Sequence, residues 1–226
     1  MSNDNSIKKV RSVIDSLDRD GDKKVFPDNP NVPPFRTASI TTAEGESLKK
    51  WTAKEKTVNT IEVGLAFGLS ALHICEGLLL NKGANPKHTV IDAWQTQKDK
   101  YANFGLDILS KAGLDKIIEF HGEKSQIILP RFLDKNRQFD FAFVDGCHLF
   151  DCVFTDLFYL GQLVKKNGII FIDDYDKPAI RKATTFFIKN LNWKIEEIDS
   201  DKDHKWLVMR TSGKEDTRHF MYFVDF

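Results

Sequence analysis

Five apolar runs, VNTIEVG, HTVIDAW, KIIEFHG, FDFAFVDG and GIIFIDDY, recur along this chain with helical stretches between them. Each run is short, rich in Val, Ile and Phe, and nearly continuous. A strand with one face in water alternates apolar and polar residues, whereas a strand covered on both faces has no need to. The intervening segments LSALHICEGLLL, NFGLDILSKAGL, SQIILPRFL and FTDLFYLGQLV have helical length and pattern. This βαβα order predicts an α/β chain built on a doubly wound, mostly parallel sheet. Beyond a helix at residues 177–190, two further strand candidates, WKIEEID and HKWLVMR, are joined by the polar SDKD. They predict a terminal antiparallel hairpin and bring the sheet to seven strands.

The flanks are less regular. Residues 1–40 read as a short helix, about Ser6 to Leu17, followed by a Pro-rich arm in which Pro27, Pro30, Pro33 and Pro34 forbid helix. DRDGDKK resembles the start of a calcium loop, but its glycine is misplaced and Asn29 stands where a bidentate Glu belongs, so a solvated turn is the better reading. TTAEGESLKKWTAK suits a helix capped by Thr41 or Thr42, with Glu44 or Glu46 in its first turn. Residues 41–212 form the expected main domain. Residues 213–226, ending in RHFMYFVDF, have β character and are expected to add an edge strand, cover the sheet or meet a partner subunit; a homodimer stays open. The formal net charge is zero, which argues against nucleic acid or an anionic membrane as partner. The apolar runs are too short to span a bilayer. The polar N-terminus and three scattered cysteines fit reduced thiols in a cytoplasmic protein. Most of the 18 phenylalanines fall in predicted elements and read as core.

In open α/β sheets ligands bind beyond the carboxyl ends of the strands. Glu62, Asp92, Asp145, Asp173 and Asp174 all stand at or just past such ends. In IEVGLAFGLSALHI, Gly64 and Gly68 allow a tight strand-to-helix turn and close backbone approach to a ligand. Asp92, ending the second run, can accept both hydroxyls of a ribose. Glu62 suits a cationic amino-acid moiety and is poorly suited to a pyrophosphate, and the spacing G-x-x-x-G departs from the dinucleotide fingerprint.

E-x-G-x-x-x-G resembles motif I of the class I S-adenosylmethionine (SAM) methyltransferases, with Ala66 in place of the family's middle glycine. The resemblance extends over roughly residues 41–210 and implies a Rossmann-like fold with SAM as cofactor. It implies that Asp92 binds ribose, that Trp94 and Gln95 flank the adenine, and that Glu123 of HGEKSQ lies near the adenine edge. FDFAFVDGCHLFDCVFTDL and LVKKNGIIFIDDY resemble successive motifs of the small-molecule O-methyltransferases, the catechol type and the macrolide-sugar and aminocoumarin-sugar type. The second of these reads as a glycine turn followed by a strand ending in acids.

Three carboxylates converging on one pocket repel unless a cation or protons intervene, and oxygen ligands of this kind suit Mg²⁺ or another hard divalent ion. The resemblance implies that Asp145, Asp173 and Asp174 hold it, with Asp145 also lining the cofactor site. Such an ion lowers the pKa of an acceptor hydroxyl and fixes it in line with the sulfonium methyl. His148 is the candidate general base; orienting a ligand and starting a helix are its alternative roles. Relatives can carry an acid where Cys147 stands, which leaves the base open. Cys147, Cys152, His73 and Cys75 read as packing residues. The expected activity is O-methylation of a small hydroxylated molecule, such as a sugar or phenol with adjacent oxygens. The alternatives are a non-catalytic SAM- or nucleoside-binding domain acting through a partner and, further off, an NAD-dependent oxidoreductase.

Overall fold

The strand ends that carry the acids are set by seven strands, β1 Asn59–Val63, β2 Lys87–Ile91, β3 Ile118–His121, β4 Phe139–Val144, β5 Val164–Ile172, β6 Lys194–Asp201 and β7 His204–Arg210. Among the described residues seven α-helices accompany them: α1 Asn3–Lys24, α2 Thr42–Lys54, α3 Leu69–Leu80, α4 Phe104–Lys111, α5 Ser125–Asp134, α6 Phe150–Leu163 and α7 Pro178–Leu191. These come from a computed structural model that describes residues 3–24, 32–81, 85–201, 204–214, 219 and 221–226. The result is the expected Rossmann-like α/β fold, a seven-stranded sheet that is mostly parallel with an antiparallel C-terminal pair. Among the described residues no helix is long and apolar enough to cross a membrane.

Two compact units make up the chain, residues 1–124 and 125–226. In the first, β3, β2 and β1 lie side by side and parallel. The last four residues of β1 and of β2 are buried, as continuous apolar runs predict. Helix α2 begins at Thr41, whose side chain accepts the Glu44 N–H at 3.1 Å. Helix α1 is longer than the expected 6–17 and runs through DRDGDKK. Gly21 sits inside it, and the Phe35 ring occupies the place of its missing side chain, 2.3 Å from where a Cβ would sit. Among the described residues that segment is helix through Lys24 rather than loop, and Asn29 lies outside them. Most of the Pro-rich arm, including Pro27, Asn29 and Pro30, lies outside the described residues; Pro33 and Pro34 lead into a 3-10 turn at Phe35–Thr37.

In the second unit β4 and β5 are parallel, β7 runs antiparallel to β5, and β6 pairs with β7 as the largely exposed edge. The predicted hairpin is present, with residues 202–203 of its turn outside the described set. One expectation fails here. KKNG, read as a turn before the fifth strand, is already inside β5, where Asn167 has φ +63° and the register jumps from Phe139↔Val164 to Phe141↔Ile169. A bulge can absorb turn-like residues without ending a strand. Half-buried Phe154 packs on buried Phe187, which in turn packs on buried Trp193, with ring centroids 5.3 Å and 4.8 Å apart, so Phe187 is core as expected. The described part of the tail is not a strand. It docks on α7: Asn190 donates to the Val224 carbonyl and accepts the Val224 N–H, both at 2.8 Å, and Phe226 packs on Phe186 at 5.1 Å.

Candidate active site

The glycine turn needs three left-handed residues in five. Gly64 has φ +94°, Ala66 +44° and Gly68 +85°. Only Gly68 caps α3, so the helix's first amides receive no side-chain cap. Glu62, the last but one residue of β1, is fully buried beneath the turn. One carboxylate oxygen accepts the Ser70 hydroxyl at 3.0 Å, and the other lies 3.4 Å from His88 Nε2, whose Nδ1 is 2.9 Å from the Thr60 hydroxyl. The register Thr60↔His88 makes that cross-strand pair. Neither Ser70 nor His88 stood out in the sequence.

Asp92 braces the turn from the next strand. Its Oδ2 accepts the N–H groups of Leu65 at 3.0 Å and Ala66 at 3.1 Å, while Oδ1 accepts that of Trp94 at 2.7 Å. A carboxylate is the right group for this position, since three backbone donors converge on it and charge-assisted bonds are the stronger kind. Gln95, also buried, donates from Nε2 to the Ala66 carbonyl at 2.5 Å. The Gly105 carbonyl lies 3.1 Å from where a Cβ on Gly68 would be. Phe67 is packed edge-on to Tyr101 and Phe104, at 5.2 Å and 5.7 Å. The segment 95–105 therefore lies over the turn, a contact that spacing in the sequence does not reveal. Beside it a cavity of about 190 Å³ is lined by Val32, Pro33, Trp94, Lys100 and Tyr101. Trp94 is 48% exposed, with the Lys100 ammonium 5.6 Å above its ring. Glu123, just past β3, is exposed.

In the second unit Asp145 follows β4, and Asp173 and Asp174 follow β5. The Asp173 N–H donates to the Val144 carbonyl at 3.1 Å, which sets the two strand ends level. Asp174 takes φ +54°, a conformation uncommon for a non-glycine residue, and its N–H bonds the Asp173 carboxylate at 2.5 Å. His148 Nε2 sits between two of the acids, 3.4 Å from Asp145 Oδ1 and 3.2 Å from Asp174 Oδ2. Asp173 turns the other way, its Oδ1 lying 2.6 Å from Nε2 of His204, whose Nδ1 is 3.6 Å from Asp174 Oδ1. Burial and the neighbouring Asp173 charge both push the Asp174 carboxyl up, against His148, Lys177 and His204.

Two overlapping groups can each converge on a cation, Asp145 with His148 and Asp174, and Asp174 with Asp176 and His204. The donor set of acids and imidazoles fits a divalent metal. The expected trio is thus divided: Asp145 and Asp174 share one face, while Asp173 meets His204. His204 and Asp176 were missed. A signal for His204 existed, because a strand antiparallel to β5 must begin where β5 ends, and His204 is its first residue.

A family model described as a methyltransferase domain matches residues 61–175, just over half of the chain. An Arabidopsis thaliana protein provisionally named a caffeoyl-CoA O-methyltransferase is 32% identical over 131 residues, covering 58% of this chain and 52% of that protein. The chain thus matches about half the length of that curated relative. Among solved structures, an O-methyltransferase from Bacillus cereus in complex with SAH superposes with a TM-score of 0.65 at 15% identity, over 92% of this chain and 90% of that one. The O-methyltransferase TomG from Streptomyces achromogenes, in complex with SAM, gives the same values. At such identity these two likenesses establish the fold. The family match begins in β1 ahead of Glu62 and ends just past Asp174, so it takes in the glycine turn, Asp92, Asp145, His148, Asp173 and Asp174 but not Asp176 or His204, and by it this chain belongs to the methyltransferase domain family.

Proposed function

We propose that the protein is a SAM-dependent O-methyltransferase acting on a small molecule with neighbouring oxygens, with divalent-metal assistance. The observation that carries this reading is the cluster at the ends of β4 and β5: acids and a histidine stand together inside a chain whose family transfers methyl groups. When bound, SAM supplies a sulfonium methyl group, and a divalent ion supplies a charge that favours ionisation of the acceptor hydroxyl.

The chain's own residues do the rest. Asp92 Oδ1 takes only one of its backbone bonds, so it retains acceptor capacity for a ribose hydroxyl. The uncapped amides of α3 and the left-handed turn give the amino-acid end its seat, and Glu62 supplies negative charge from beneath. Trp94 and Tyr101 wall a cavity suited to a flat ring, with Glu123 beyond β3 as a polar edge contact. Asp145 and Asp174 hold the Nε2 side of the His148 ring, which leaves Nδ1 to take the acceptor's proton as the oxygen attacks the methyl carbon and the carbon–sulfur bond breaks. The zero net charge supports a small-molecule acceptor over nucleic acid. The free cysteines support a reducing, cytoplasmic setting, and Mg²⁺ is the default ion for the oxygen ligands.

The test is transfer of labelled methyl from SAM to a library of catechols, sugars and hydroxylated aromatics, with and without Mg²⁺ or Mn²⁺. Transfer that rises with metal and falls at least about 100-fold in His148→Ala is expected, the scale of a general base. SAM binding with no transfer to any acceptor would instead make this a binding domain that works through a partner.

A further inference from the structure

We propose that His88 is a positioning residue of the cofactor site: its Nε2–H holds the buried Glu62 carboxylate so that the negative charge is aimed at the glycine turn, where the amino group of SAM is seated. The inference rests on the SAM-dependent reading above and adds a residue to the seat of the amino-acid end.

The placement comes from strand geometry. Thr60 and Glu62 stand two apart on β1, so their side chains leave the same face of the strand. The parallel register sets His88 of β2 beside Thr60. The His88 ring lies along that face, with Nδ1 2.9 Å from the Thr60 hydroxyl and Nε2 3.4 Å from Glu62 Oε1. Ser70, in the first turn of α3, closes the other side and donates to Glu62 Oε2 at 3.0 Å. Thr60, Glu62 and His88 are fully buried and Ser70 is nearly so.

The hydrogen-bond network decides which ring nitrogen carries the proton. A carboxylate oxygen only accepts, so a bond between Glu62 and His88 needs Nε2 as donor. The Thr60 hydroxyl has a single proton to give. Its nearer acceptor is His88 Nδ1, at 2.9 Å; the Lys87 carbonyl is 3.4 Å away. With Thr60 donating to Nδ1, the ring hydrogen stands on Nε2 and points at Glu62.

A second observation shows that this arrangement is unfinished without a ligand. Glu62 Oε1 and His88 Nε2 are both shut off from solvent, and neither has a hydrogen-bond partner among the described residues. They face each other at 3.4 Å without closing a bond. Only Ser70 donates to the carboxylate, and a buried charge held by so little is costly. An ammonium group seated on the turn above supplies the opposite charge. A shift of a few tenths of an ångström then closes the Nε2–H···Oε1 bond, as active-site hydrogen bonds that are long in the free protein tighten on binding.

Calorimetry on the full chain reads the effect with two ligands, SAM and methylthioadenosine, which lacks the amino-acid end. His88→Leu should bind SAM about 10-fold more weakly and methylthioadenosine as wild type does, the size expected on losing a hydrogen bond to a charged group. His88→Gln keeps an N–H near the place of Nε2 and should regain most of the SAM affinity. NMR of wild-type protein with isotope-labelled histidine should find the proton on His88 Nε2, its signal moving downfield when S-adenosylhomocysteine binds. His88→Leu that binds SAM as tightly as wild type overturns the proposal. So does an equal loss for both ligands, the mark of a merely structural role. Wild-type protein without a proton on His88 Nε2 overturns it as well, whether or not any variant folds. In all three cases the SAM-dependent reading stands. Wild-type protein that binds neither SAM nor S-adenosylhomocysteine overturns that reading and this inference together.

Discussion

Asp156 sits on the inner face of α6 at 1% exposure, and burial pushes its carboxyl up to about 6, against the opposing effect of a hydrogen bond from Ser125 at the start of α5. Its Oδ1 has no hydrogen-bond partner. The folded protein therefore holds a proton there that the unfolded chain, at an ordinary value of 3.8, has already released. Between those two values the native state binds more protons, so stability falls as pH rises. The contribution is fully present below 3.8 and is lost as pH passes about 6. The gap corresponds to about 3 kcal/mol, taking roughly 1.4 kcal/mol per pH unit. Asp156→Asn is neutral at every pH and can still meet the Ser125 hydroxyl. Its second amide donor has no obvious acceptor, which costs about 1 kcal/mol at all pH values. The variant should thus be about 2 kcal/mol more stable than wild type at pH 8 and about equal to it at pH 4.5. Urea denaturation with an m-value of about 2–3 kcal/mol/M places the two midpoints apart by roughly 1 M at pH 8, with the gap closed at pH 4.5. Other acids titrate in both proteins and cancel in the difference. A difference that is the same at both pH values would show that burial does not raise this carboxyl, and the reasoning fails.

Asp92→Asn places an amide against at least one of three backbone N–H groups, so it should cost about 2–3 kcal/mol of stability and weaken SAM binding, read by calorimetry; unchanged midpoint and affinity would remove Asp92 as the brace of the turn. Gly45→Ala drives a methyl group to 2.4 Å from the buried His73 ring, whose pKa burial lowers to about 3, and overpacking of this kind should cost about 1–3 kcal/mol in urea denaturation. Asn190→Ala removes the reciprocal pair with Val224, so limited proteolysis should clip the tail faster in the variant while the midpoint shifts by about 1–2 kcal/mol.

The strands were legible because burial on both faces writes continuous apolar runs, and the acids were legible because such strands end where ligands bind. What escaped depended on a third element meeting the first two. Gly21 looks like a helix breaker until the Phe35 ring is seen to need its space, and KKNG looks like a turn until β4 is seen pairing across it. Asp92 and Gln95 stood out in the sequence as expected ribose and adenine contacts, but nothing there says that their side chains brace the turn. His204 is the sharpest case. The hairpin was readable, yet a hairpin can join a sheet by either strand, and only the pairing of β7 with β5 brings its first residue to Asp173. Had β6 paired with β5 instead, Lys194 to Asp201 would have bordered the site and no imidazole would stand there. The imidazole beside Asp173 and Asp174 therefore follows from strand order rather than from any motif.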